Sequence, residues 1–353
     1  METITISGLP FAPSRIGLGT WAIGGWMWGG SDANDAVGTI QAAVDRGITL
    51  IDTAPVYGFG RSEELVGEAL SSGGRRDRAV IATKCGLEWA NGRIARNSSP
   101  RRIRQELEDS LRRLRTDRID IYQIHWPDPS VPIAATAAAL GELLHEGKIR
   151  AIGVSNYSVE QLEEFRQFGP LQTVQPPLNL FEREAERSVM PYAAAHGLAI
   201  LAYGALCRGL LTGHVTNTTR FQGDDLRKVD PKFQPPRLGR YLEAVAALDL
   251  LARERYGRTV LALAVRWVLD RGNTIALWGA RHAAQLAPVE EVMGWVLDDE
   301  AMHEIDRILT RSITDPVGPE FMAPPVPVVD LPSTTMEASG RDRHGSAAHP
   351  GRR

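Results

Sequence analysis

Apolar residues fall along the chain in short runs, and the stretches between them have helical spacing. Runs at 14–21, 49–53, 79–84, 119–125, 149–155, 173–175, 198–203 and 274–279 have the length and β-former content of buried strands. The clearest helix signal covers 99–114. Ser99 can cap it and Pro100 suits its first position. Ile103, Leu107, Leu111 and Leu114 share one face, while arginine and glutamate occupy the other. Further helices are predicted at 31–46, 62–70, 133–146, 159–168, 186–196, 240–256, 260–271, 283–292 and 299–310. Gly47, Gly147, Gly169 and Gly197 follow four of them, as helix stops often do. A polar insertion, roughly 213–236, separates the seventh strand from the helices that precede the eighth.

Eight strand signals alternating with helices specify a parallel sheet. An open doubly wound sheet and a closed barrel both satisfy that pattern. Eight units in roughly 300 residues, with no linker at the midpoint, favour a single-domain α/β fold, the (β/α)8 TIM barrel, over 1–312. The character then changes. Residues 313–332 are proline-rich and are expected to fold back over the barrel mouth through Glu320-Phe321-Met322. Residues 333–353 are polar, lack an apolar period, and are expected to be a disordered tail.

Composition narrows the function. The chain has 353 residues and a net charge of -3, which offers no footprint for nucleic acid or a membrane surface. No apolar stretch is long enough to span a bilayer, and the first residues carry no signal-peptide pattern. Two cysteines, Cys85 and Cys207, argue for a reducing compartment. A cytoplasmic protein is expected, favoured as a monomer and acting on a small molecule. The histidines lack ligand spacing, so no metal is expected. Cys85 adjoins Lys84, but a packed core thiol is the simpler reading.

In a barrel the active site lies where strands end and βα loops begin. Those ends carry Thr20/Trp21, Asp52, Lys84, His125, Ser155/Asn156, Gln175, Tyr203 and Gly279/Arg281. Any one polar strand end is ordinarily a turn former or cap. Ionisable groups at successive ends beside tryptophan and tyrosine serve no purpose of solvation. Carbonyl reduction fits the set. As hydride adds to carbon, charge grows on oxygen and a proton must arrive there. Tyr57 can give it, with the Lys84 ammonium expected to lower its pKa. Asp52 would orient Lys84, and His125 would hydrogen-bond the substrate oxygen.

A hydride donor must also be held. Ser155, Asn156 and Gln175 suit a nicotinamide carboxamide, and Tyr203 offers a ring face. Arg281 after a glycine turn, at a helix start, suits an extra phosphate, so NADPH is expected ahead of NADH. Gly17-Leu18-Gly19-Thr20-Trp21-Ala22 matches a dinucleotide fingerprint by letter, yet the Gly/Trp-rich stretch 23–30 follows instead of a helix. Gly19, Thr20 and Trp21 are instead expected to pack near the cofactor. Trp21, Trp28 and Trp126 are expected to shape the substrate pocket.

At these residues the chain resembles the aldo-keto reductases from Arg15 to about Leu309. The motifs are Gly19-Thr20-Trp21, Asp52-Thr53-Ala54 with Tyr57-Gly58, Ala82-Thr83-Lys84, Ile124-His125-Trp126 and Gly153-Val154-Ser155-Asn156-Tyr157. The resemblance implies a (β/α)8 barrel and NADP(H), with Asp52, Tyr57, Lys84 and His125 as a catalytic tetrad. It also implies that Gly204, Leu206 and Arg208 line the pyrophosphate path. Gly279, Ala280, Arg281 and Gln285 would take the 2′-phosphate end. Stretches 21–30, 204–210 and 320–325 resemble a bacterial branch that includes an L-glyceraldehyde reductase. Two positions depart from the family pattern: Val289, where an adenine-contacting asparagine is common, and Leu178, where a tyrosine is common. Two other readings compete with the reductase. One is a Schiff-base aldolase using Lys84, which pairing with Asp52 disfavours. The other is a cofactor-sensing subunit of a larger assembly.

Overall fold

The structure, a computed structural model, describes residues 1–90 and 93–326. The tail expected at 333–353 lies outside the described residues, as does the end of the proline-rich segment. Among the described residues, ten strands and nine α-helices run in the order β1 (Ile16–Gly19), α1 (Ala33–Asp45), β2 (Leu50–Asp52), α2 (Arg61–Leu70), β3 (Val80–Cys85), β4 (Leu87–Ala90), β5 (Arg93–Arg96), α3 (Pro100–Leu114), β6 (Ile119–Ile124), α4 (Ile133–His145), β7 (Ile149–Ser155), α5 (Val159–Phe168), β8 (Thr173–Gln175), α6 (Val189–Ala195), β9 (Ala199–Ala202), α7 (Arg237–Tyr256), α8 (Val260–Leu269), β10 (Thr274–Gly279) and α9 (Asp299–Ser312). Eight of the strands close a parallel barrel in the order β1-β10-β9-β8-β7-β6-β3-β2. Closure decides against the open sheet.

Side-chain alternation sorts each strand between two cores. Leu50, Val80, Ala82, Ile121, Ala151, Leu201 and Ile275 fill the barrel interior. Ile4 and Ile6 join them from the N-terminal segment. Ile51, Ile81, Ile119, Ile152 and Ala276 face outward and pack with Leu107, Leu140, Leu162 and Trp267 of the helices. The caps follow the sequence: Ser99 accepts from the Arg102 amide, and Ser158 with Gln161 forms a reciprocal box.

Two elements differ from expectation. β4 and β5 form an antiparallel hairpin that pairs Leu87 with Arg96 and Trp89 with Ile94. Its strands are four residues each, too short for the alternation to stand out. The stretch Ala283–Val292 is a 3₁₀ run rather than an α-helix, because Pro288 inside it removes a donor.

Candidate active site

The register of β2 and β3 builds the centre of the site. Leu50 pairs with Val80 and Asp52 with Ala82. With period two, Leu50 and Asp52 point inward, as do Val80, Ala82 and Lys84. Lys84 is fully buried and its Nζ donates to both Asp52 oxygens, at 2.9 and 2.8 Å, and to the Thr53 carbonyl at 2.9 Å. Three donors thus meet three acceptors. Burial lowers the Lys84 pKa, and the Asp52 carboxylate opposes that shift.

Tyr57 stands above this pair on the loop after β2. Its ring centroid is 5.0 Å from Lys84 Nζ. Trp21 stacks on one face at 5.8 Å and 20°, and His125 meets the ring at 5.8 Å and 82°. The loop needs glycine at two facing points. A Cβ on Gly58 would lie 2.2 Å from the Gly24 carbonyl oxygen, and one on Gly24 would lie 2.8 Å from the Tyr57 carbonyl. The Tyr57 pKa departs from expectation. Burial raises it well above the ordinary 10, and Asp52 adds to the rise. The nearby ammonium does not reverse this, because its charge is already paired. Burial, followed by Lys84, holds the His125 imidazole well below the usual range, so it is neutral at pH 7.

The polar strand ends form one hydrogen-bond chain. Gln175 Nε2 donates to Asp52 Oδ1 at 2.9 Å, and the Gln175 carbonyl accepts from Ser155 Oγ at 2.8 Å. Asn156, held at φ 62°, donates to Ser155 Oγ at 3.1 Å and to the His125 carbonyl at 3.0 Å. It accepts from the Tyr203 hydroxyl at 3.0 Å.

A cavity opens beside Tyr57. Gly19, Trp21, Trp28, Asp52, Tyr57 and Tyr203 form its inner wall. Gly204, Leu206, Arg208, Gly279, Ala280, Arg281 and Gln285 line the rest. His125, Gln175 and Asn156 reach it through Tyr57, Asp52 and Tyr203. Arg281 Nη1 donates to the Trp28 carbonyl at 3.0 Å, while Gln285 Oε1 accepts from the Arg281 amide at 2.8 Å.

Three expected residues sit differently. Thr20 is fully buried and spends its hydroxyl on the Asp52 carbonyl (2.9 Å) and Ser62 Oγ (2.7 Å), so it braces β1 instead of facing a ligand. Arg208 borders the cavity, but its guanidinium is buried and bound to Asp230 (2.5 Å) and Glu182 (2.7 Å). Trp126 is not in the cavity wall. It packs in the cluster around Val56 and Leu87, with the Arg96 guanidinium 5.4 Å from its ring. The departures Leu178 and Val289 are both buried. Burial pushes the Cys85 thiol well up, as for a core thiol.

The sequence reading missed Arg227, which also lines the cavity, whereas Met322 lines it on the segment expected to fold back over the barrel mouth. Arg227 lies in the 213–236 insertion, bound to Asp225 and set over the Trp28 and Phe221 rings. Asp224 ties that insertion to the Met27 and Gly29 amides at 2.8 and 2.9 Å. Met322 arrives on the segment after α9. There Lys232 reaches the Gly318 carbonyl and Arg96 the Pro324 carbonyl, at 3.2 and 3.0 Å. The aromatic and acidic residues of 213–236 were the available signal.

Among the described residues, no group of three or more His, Cys, Asp or Glu is placed to hold a metal ion. Nor is any described helix long and apolar enough to cross a membrane.

A buried lysine–aspartate pair thus lies under a tyrosine at the mouth of a closed barrel. Residues 15–310 match the model of the aldo/keto reductase family, and the chain belongs to that family. It is 57% identical over 326 residues to the aldo-keto reductase YhdN of Bacillus subtilis (strain 168), spanning 92% of this chain and 98% of that protein. The NADH-specific methylglyoxal reductase of Escherichia coli (strain K12) is 37% identical over 300 residues, 81% of this chain and 91% of the relative. The solved glycerol dehydrogenase AKR11B4 from Gluconobacter oxydans is similar at TM-score 0.83 and 55% identity, covering 91% and 99% of the two chains. A Klebsiella pneumoniae aldo-keto reductase in complex with NADPH is similar at TM-score 0.67 and 28% identity, covering 87% and 95%. The chain is an oxidoreductase of carbonyl and alcohol groups.

Proposed function

We propose that this enzyme reduces a small aldehyde or ketone to its alcohol, reversibly and with NADPH, with Tyr57 as acid and base. The observation that carries the reading is Lys84: fully buried, all three donors engaged, 5.0 Å from the Tyr57 ring centroid. A lysine so paired is a poor nucleophile, which disfavours the Schiff-base alternative. A complete acid–base set likewise disfavours a purely cofactor-sensing role.

The residues fit a nicotinamide dinucleotide. Gln175, Ser155 and Asn156 present amide and hydroxyl groups at adjoining strand ends, and Tyr203 adds a ring face. Arg281 brings a guanidinium to the cavity wall, and Arg227 there is paired with Asp225. A reduced nicotinamide, when bound, supplies the hydride. Tyr57, whose raised pKa keeps it protonated at neutral pH, hands its proton to the developing alkoxide. The neutral His125 donates a hydrogen bond to that oxygen and so helps place the carbonyl. Lys84, held by Asp52 beneath the phenol, fixes the floor of the site on which the Tyr57 ring rests.

Relatives differ in nucleotide: one is named NADH-specific and another was solved with NADPH. Arg281 supports NADPH here, since one nitrogen on Trp28 leaves the rest of its fork for a phosphate. Tyr57→Phe tests the mechanism. It keeps the ring stacked on Trp21 and removes only the hydroxyl. We expect kcat to fall about 10²–10⁴-fold, with NADPH quenching of tryptophan fluorescence unchanged. Turnover at the parent rate would overturn the assignment.

A further inference from the structure

We propose that Glu106, a buried carboxyl on α3 outside the barrel, is a positioning residue that sets the His125 ring for the reaction. It acts through the peptide that joins Cys85 to Gly86. The inference rests on the reductase reading above and adds to it a group outside the cavity wall. Glu106 is 2% exposed, on the buried face of α3 with Ile103, Leu107 and Ser110. A carboxyl is costly there without donors. Two donors meet it. The Gly86 amide reaches Oε2 at 2.7 Å, and Arg102, one turn earlier, reaches Oε1 at 3.2 Å. Arg102 also donates to the Leu87 carbonyl at 3.1 Å, so the pair grips the chain at two successive residues. Gly86 itself turns at φ 86°, in the region that favours glycine.

The gripped peptide faces two ways. Its N–H goes to Glu106, and its carbonyl, that of Cys85, accepts from the His125 amide at 2.9 Å. One peptide unit thus carries a chain of hydrogen bonds from the α3 carboxyl across the barrel wall to His125. The His125 carbonyl is held as well, accepting from Asn156 Nδ2 at 3.0 Å. His125 is therefore placed through its backbone. Lys84, just before the gripped peptide, is anchored independently by Asp52 and the Thr53 carbonyl. A shift of the peptide falls on His125 first. The ring it moves is the one that meets Tyr57 at 5.8 Å and 82°. Burial, opposed by Arg102, pushes the Glu106 carboxyl up to about 8, so at neutral pH it is chiefly the neutral acid. Glutamine, neutral and of the same shape, is its nearest stand-in.

The test measures kcat on propionaldehyde and the KM for NADPH, by NADPH absorbance, in Glu106→Ala and Glu106→Gln. Each is made in the parent and in His125→Phe, which keeps the amide of residue 125. In the parent, alanine should lower kcat about 10–100-fold and move the KM for NADPH less than about twofold. Glutamine should restore kcat to within about threefold of the parent. In the His125→Phe background the alanine loss should shrink to about twofold or less, because the ring it positions is gone. Equal losses in both backgrounds, or glutamine no better than alanine, would make Glu106 a support of the fold only and overturn the proposal. Should Glu106→Ala not fold, Arg102→Met takes its place, with an expected loss of about 3–10-fold that also vanishes without the His125 ring. No loss from it in the parent would overturn the proposal too. If the parent reduces neither propionaldehyde nor any of a panel of aldehydes and ketones, the reductase reading is at fault. The link is then read by NMR on protein isotopically labelled at histidine nitrogen. The His125 amide resonance, assigned by its loss in His125→Phe, must move in Glu106→Ala or Arg102→Met more than any other histidine amide. A resonance that stays in place overturns the proposal.

Discussion

Lys84→Met is the perturbation whose consequences the structure fixes most closely. Lys84 is fully buried and Asp52 is 3% exposed. The substitution keeps the volume and the apolar stem but removes three hydrogen bonds at once. Asp52 is left with the Gln175 amide as its remaining side-chain donor among the described residues. Removing one partner of a buried ion pair costs about 3–5 kcal/mol, because the other charge stays buried and uncompensated. Against a typical domain stability of about 5–15 kcal/mol, that is a large fraction. Adding Asp52→Asn removes the stranded charge, so the double variant should regain about 2–4 kcal/mol relative to Lys84→Met. Urea unfolding of the parent, both single variants and the double variant gives the cycle. Activity should fall at least about 100-fold in every variant, since the double variant repairs the fold and not the proton relay. A Lys84→Met loss below about 1 kcal/mol, or a double variant no more stable than the single, would refute the claim that the pair is an uncompensated-charge problem.

Further outcomes follow from the same geometry. In the proposed mechanism Tyr57 gives its proton during reduction, and its pKa is raised by burial and Asp52. Reduction should therefore hold through neutral pH and fall only in strong alkali, while alcohol oxidation, which needs the phenolate, should climb with pH. Stopped-flow rates at saturating cofactor check this, and a reduction limb falling near pH 7 would contradict it. His125 is depressed by burial and Lys84, so the neutral imidazole should persist to acid pH. Any loss of reduction on the acid side should begin below the ordinary histidine range, and Phe in place of His125 should remove that limb. Arg281→Met should raise the KM for NADPH about 10–100-fold, the worth of a charge-assisted hydrogen bond, and leave NADH nearly unchanged. Equal effects on both nucleotides would place Arg281 outside phosphate recognition.

Much of the site was legible before any coordinates. Asp52, Lys84, Ser155 and Gln175 stand at or near strand ends that the apolar runs mark, and period-two alternation sends them inward with Leu50, Val80 and Ala82. Glycine stops and the Ser99–Pro100 start were equally local. Thr20 and Arg208 were placed at the right end of the barrel, but local sequence carries no account of which partner will claim a side chain. Ser62 and the Asp52 carbonyl claim the first, Glu182 and Asp230 the second.

What the sequence alone determined is thus the alternation of eight strands with helices and the identity of the groups at the strand ends, because those depend on neighbours within a few residues. Only the tertiary structure decided the sign of the Tyr57 shift. Burial is a property of everything packed around a group, and it outweighs a single nearby ammonium already neutralised by Asp52. It also decided that Arg227 reaches the cavity, since the 213–236 insertion meets the loop after β1 there from a position far along the chain.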